Sequence, residues 1–153
     1  MPTPTVATYK TTDAAYVRSL FAGFVPDPES LPGWAGIAQE GTAIVPNPVP
    51  SGRQAAPTIY AVWGLRYGRR WSDYEGTTAP ARTGRLIVSR FMEANGVDDG
   101  PCRLLGTAIL SKLLELPDGG DLDFDVQEAD DQPPVANGDG FVILNLVVPF
   151  VGA

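Results

Sequence analysis

A chain of 153 residues, 44% of them apolar, is long enough to close one hydrophobic core, and a net charge of −7 argues against a general nucleic-acid binder. The absence of histidine excludes Ser-His-Asp and Cys-His catalysis, most zinc sites and an imidazole pH switch. The single cysteine, Cys102, excludes an internal disulfide.

The chain has no apolar run of the roughly 18 residues that a membrane helix needs. Its start, Met1-Pro2-Thr3-Pro4-Thr5, lacks the basic region and apolar core of a signal peptide, so synthesis in the cytoplasm is expected. Residues 1–10 read as an extended N-terminal arm. A helix is expected from Thr11 or Thr12, whose hydroxyl suits a cap, with Asp13 in the first turn. Val17, Leu20, Phe21 and Phe24 form its apolar stripe, and Pro26 and Pro28 end it. Residues 25–42 read as irregular, with at most a helical turn around 29–38, and Trp34 there reads as a core plug.

Residues 43–45 suit a short strand. Pro46-Asn47-Pro48-Val49-Pro50 follows, and prolines at alternate positions confine it to a sheet edge or a polyproline-like connector. Residues 58–67 and 84–93 read as antiparallel strands joined by the loop 68–83, which is longer than most loops without a function. That loop carries Arg69, Arg70, Trp71, Tyr74 and Arg82, residue types enriched where proteins meet. The plain alternative is an exposed hairpin tip. A turn at 95–100 leads into a helix over 101–116, capped by Asp98 or Asp99 and stopped by Pro117 and Gly119-Gly120. Cys102 in its first turn reads as inert, since no histidine is present to activate it.

Leu122, Phe124 and Val126 alternate with Asp121, Asp123 and Asp125, the pattern of a half-buried strand with an acidic outer face. The Asp-x-Asp-x-Asp spacing opens like a calcium loop, but Val126 and Gln132 stand where that loop needs glycine and glutamate. Residues 130–140 read as a polar turn region and 141–150 as a buried closing strand. The expected fold is one α+β domain over 1–153, a mixed and mostly antiparallel sheet of about five strands with two helices against it.

Charge is segregated along the chain. Five of the 11 basic residues (Arg66, Arg69, Arg70, Arg82, Arg85) lie within 66–85, and nine of the 18 acidic residues lie within 115–139, where no Lys or Arg occurs. The bland reading is two solvated stretches. The sharper one is head-to-tail self-association, arginine loop to acidic edge. No motif marks a catalytic residue, a metal site or a cofactor site.

Several of these features together resemble the tail terminator (tail completion) proteins of long-tailed bacteriophages and gene transfer agents. They are the N-terminal helix, the 46–50 strip, the strand ending in Trp63-x-Leu65, Arg82-Thr83-Gly84-Arg85-Leu86-Ile87-Val88, and Phe91. The Gly96…Gly100-Pro101 turn into an amphipathic helix and the closing Gly140-Phe141…Val147-Val148-Pro149-Phe150 strand complete the set. The likeness is best over 43–150. The resemblance implies a non-enzymatic virion protein at the head–tail junction, a homohexameric ring that caps the tail tube and stops its polymerisation. Its implied partners are further copies of itself, the tail tube protein and a head–tail connector or neck protein. DNA would pass through the bore without sequence-specific contact, and no cofactor or membrane is implied.

On this reading Arg66, Arg69, Arg70, Trp71, Tyr74, Arg82 and Arg85 meet a neighbouring subunit or the tube. Asp121, Asp123, Asp125, Asp130 and Asp131 accept them or line the bore. A neck or head-completion protein, a tail-tube subunit and, remotely, a small carboxylate-dependent enzyme are the alternative readings.

Overall fold

The computed structural model describes residues 5–26, 31, 34–41, 58–68, 82–93, 100–117, 120–136 and 140–152. The first helix, α1 (Val6–Phe21), begins earlier than the sequence implies. Thr5 is its cap: its side chain accepts from the Thr8 amide at 3.2 Å. The expected arm over 1–10 is therefore corrected, because 6–10 is helical. Thr11 and Thr12 lie inside the helix, where their hydroxyls donate back to the carbonyls of Ala7 and Tyr9. Val6, Asp13, Val17 and Phe21 form the buried stripe, and Gly23 at φ 69 turns the chain out.

Residues expected to be irregular form strand β1 (Trp34–Gln39), which pairs in parallel with β2 (Ile59–Tyr67). An irregular register around Gly36, at φ 129, interrupts β1, so no alternation shows in the sequence and the pairing partner decides the structure. β2 pairs antiparallel with β3 (Thr83–Glu93), and β3 pairs antiparallel with the closing strand. The second helix, α2 (Gly100–Leu114), ends two residues earlier than expected. Beyond it come β4 (Leu122–Phe124), a 3-10 turn at Val126–Glu128, β5 (Asp130–Asp131), β6 (Val135–Ala136) and β7 (Phe141–Gly152). The strand at 43–45, the 46–50 strip, the helix cap at Asp98 or Asp99 and loop positions 69–81 lie outside the described residues.

The α+β reading holds: the described residues contain two α-helices and one mixed sheet. The sheet has seven strands rather than about five, in the order β1-β2-β3-β7-β4, with β5 and β6 also on β7. The extra strands are short pieces of one segment running along β7, and a two-residue strand has too few residues to show periodicity. Both helices bury their stripes on the same sheet face. Val17 and Phe21 of α1 and Leu105, Ile109 and Leu113 of α2 join Trp63, Leu86, Val88, Leu144, Leu146 and Val148 in one cluster. Phe21 lies 6.5 Å from Trp63, and Phe24 meets Trp34 edge-on at 5.9 Å. No helix among the described residues is long and apolar enough to cross a membrane.

Candidate functional site

The expected contact loop springs from the Tyr67–Gly68 end of β2 and returns at Arg82–Thr83. Gly68 donates to the Thr83 carbonyl at 3.1 Å and closes the base. Arg69, Arg70, Trp71 and Tyr74 lie outside the described residues. Arg82 is described, and its expected role at a subunit contact is corrected. It is 4% exposed and holds Asp13 of α1 through two contacts of 2.8 Å. It also donates to the Asp121 carbonyl at 3.0 Å, and its guanidinium stacks 4.1 Å over the Tyr9 ring. Tyr67 donates its hydroxyl to Asp13 at 2.9 Å. Burial and the charge of Asp13 push that hydroxyl above its ordinary range. This cluster locks α1, the loop base and the start of β4 together.

The opposite sheet face has no described helix on it. Tyr60, Ile87, Phe91, Phe141, Ile143 and Val147 alternate with the core residues and are half-buried there, with Tyr60 and Phe91 stacked at 4.7 Å. At the end of this face nearest the loop, Arg66 and Arg85 stand directly opposite each other on β2 and β3. Like charges in that position repel, and Glu40 relieves the repulsion by taking Arg66 in two contacts of 2.6 and 2.7 Å. Gly64 makes the room, since a Cβ there would lie 2.5 Å from the Glu40 carboxyl. The hydrogen bond from Arg66 holds the Glu40 carboxyl below its ordinary range. Arg85 is exposed and has no ion-pair partner among the described residues.

Across the same face the sign reverses. Arg85 pairs in register with Pro149, whose carbonyl accepts from the Asp125 amide at 2.8 Å. One row of the sheet thus runs from Arg66 through Arg85 and Pro149 to Asp125. Asp123, opposite the exposed Val151, and Asp130, opposite Val147, extend the acidic edge. Asp121 is exposed beside them. Burial, and then the charges of Asp121 and Asp123, push the nearby Tyr16 hydroxyl upward.

Asp131, the exposed neighbour of Asp130 on β5, differs from these in being paired within the fold. Its side chain turns to the helix face and pairs with the fully buried Arg90 and, at 2.8 Å, with Arg103 of α2. Burial opposes its charge, but hydrogen bonds from both arginines more than offset this and hold its carboxyl below the ordinary range. Arg90 also donates to the Cys102 carbonyl at 2.8 Å and the Leu144 carbonyl at 3.2 Å. Cys102 itself is fully buried.

Asp13, expected in a first helical turn, lies instead in the middle of α1 and is buried, and Glu40, Tyr67 and Arg90 carry no expected role in the sequence. Two signals were present. Arg90 alternates with Leu86, Val88 and Met92, which places a charge on the buried face of a strand. Asp13 sits four residues before Val17 on the apolar stripe of α1. No protein-family model and no curated protein matches the chain.

Proposed function

We propose that this chain is a ring-forming tail terminator: a structural subunit that caps a tail tube, stops its polymerisation and offers the joining surface for a head-side connector. The observation that supports the ring is the reversal of charge across one sheet face. Arg66 and Arg85 stand on β2 and β3, and Asp123, Asp125 and Asp130 stand along the β4–β5 edge. A subunit with cations towards one side of a sheet face and anions along its edge can pair head-to-tail with copies of itself, and a head-to-tail contact whose rotation closes gives a ring. The order of elements and the resemblance over 43–150 support the choice of terminator among ring-forming proteins. The reading needs no catalytic residue, metal or cofactor. Its partners are six copies in all, the tube below, the connector above, and DNA passing through the bore. The protein resides at the head–tail junction of the particle.

Native mass spectrometry with electron microscopy of the purified chain tests this. A discrete hexamer with a central opening is the expected result. A filament would make it a tube subunit, and a monomer that docks only on a portal ring would make it a neck protein. A monomer with metal-dependent activity would make it an enzyme.

A further inference from the structure

A groove of about 380 Å³ runs between the C-terminal end of α2 and β4 with its following 3-10 turn. Leu114, Leu116, Phe124 and Val126 give it apolar walls, and Asp123 and Asp125 line its rim. Leu114 is 68% exposed, an unusual position for a leucine with this much apolar surface beside it. The surroundings are strongly negative. Glu115, Asp121 and Glu128 are exposed nearby, and the C-terminal carbonyls of α2 carry the negative end of its dipole. Lys112, in the last turn of α2, is the nearest cation in sequence, and 115–139 has no Lys or Arg. A groove that offers leucine and phenylalanine side chains beside carboxylates, in a lining more polar than apolar, suits an aromatic side chain flanked by cations.

We infer that this groove seats the Arg69-Arg70-Trp71 segment of a second copy of the chain, the indole against Leu114 and Phe124 and the guanidiniums against Asp123 and Asp125. The inference rests on the ring reading and names the contact that would build the ring. That segment is the chain's own match for the groove: two adjacent arginines followed by a tryptophan, with Tyr74 close behind. Arg82, the remaining arginine of the loop, is committed to Asp13 and takes no part. Each copy carries both the segment and the groove, so each can insert one segment and receive another. That is the condition for a closed head-to-tail ring.

Charge exchange in the full-length chain tests the contact. Arg69→Glu with Arg70→Glu should raise the concentration at which rings form by about tenfold or more, as like charges meet at the rim. Asp123→Arg with Asp125→Arg should do the same. The two double variants mixed together, or all four changes in one chain, should restore assembly toward that of the parent. Proximity is tested separately with Trp71→Cys and Leu114→Cys in one chain and a short bis-maleimide, since Cys102 is buried and silent. A covalent ladder from dimer upward is expected. Rings that form in the parent and are indifferent to the charge changes, or links confined within single chains, would overturn the groove assignment and leave the ring standing. A parent that stays monomeric would overturn both.

Discussion

Asp13 and Arg82 are sixty-nine residues apart in the chain and meet as a closed pair, Oδ2 to Nε and Oδ1 to Nη2, each at 2.8 Å and almost wholly buried. The pair joins the middle of α1 to the residue at which the long loop re-enters the sheet. Tyr67, at the other foot of the loop, donates to the same carboxylate. The base of the loop is therefore fixed by the core.

Removing one member of this pair strands a buried charge. Asp13→Ala should destabilise the fold by about 3–5 kcal/mol, seen as a melting temperature about 10 °C lower for a chain of this size. Replacing both members by apolar residues of similar size, Asp13→Leu with Arg82→Met, should recover much of that loss, because no lone charge remains. An Asp13→Ala chain that melts with the parent would show that the pair contributes little.

Asp131 should make stability fall in acid. Its folded-state carboxyl titrates below the ordinary carboxylate range because Arg90 and Arg103 hold its charged form. A depressed value means that its contribution is complete above the unfolded value near about pH 4 and is lost as pH falls through the folded value. Asp131→Asn should be less stable than the parent at neutral pH, and the gap should close below that window. Urea titrations of both chains across pH 2–7 measure it, and a gap that persists unchanged in acid would contradict the assignment.

Gly84 is required by close approach of the backbone. A Cβ at this position would lie 2.3 Å from the Arg66 carbonyl and 2.7 Å from Cζ of Phe150. Neither the carbonyl nor the buried ring can withdraw, so Gly84→Ala should cost about 1–3 kcal/mol through strain at the β2–β3 pairing. The equilibrium midpoint in urea reads this directly, and an unchanged midpoint would mean that the strands part more easily than their register implies.

The Arg66–Glu40 pair should behave differently, since both side chains are about half exposed. Arg66→Ala should change folding stability by less than about 1 kcal/mol. It removes a charge from the basic flank of the sheet, so ring formation should weaken, and more so at low salt than at high salt. A variant that melts and assembles like the parent at every salt concentration would remove Arg66 from the interface.

Much of the frame was legible along the chain. The two long central strands, the second helix and the closing strand appear within a few residues of their expected ends, because the helix repeats its apolar residues at its own period and the strands are alternating or near-continuous apolar runs bounded by turn residues. Elements without such a period stayed hidden. β1 owes its extended form to the side of β2 it pairs with, and β5 and β6 are each two residues long. Thr5, Thr11 and Thr12 are all competent caps along the chain, and the helix starts at the first of them, followed at once by the fully buried Val6.

The charges divide in the same way. By itself the sequence determined that cations cluster in 66–85 and anions in 115–139, since that is a matter of counting. Which of them face outward was decided by tertiary structure, because a charge is committed or spare according to what the fold brings within about 4 Å of it. Arg82 reads as a surface contact and is buried against Asp13, and Asp131 stays exposed but is paired with Arg90 and Arg103, whereas Arg66, Arg85, Asp123, Asp125 and Asp130 keep to the outer face and its edge. Burial and partnership depend on residues far away in the chain, and no local pattern records them.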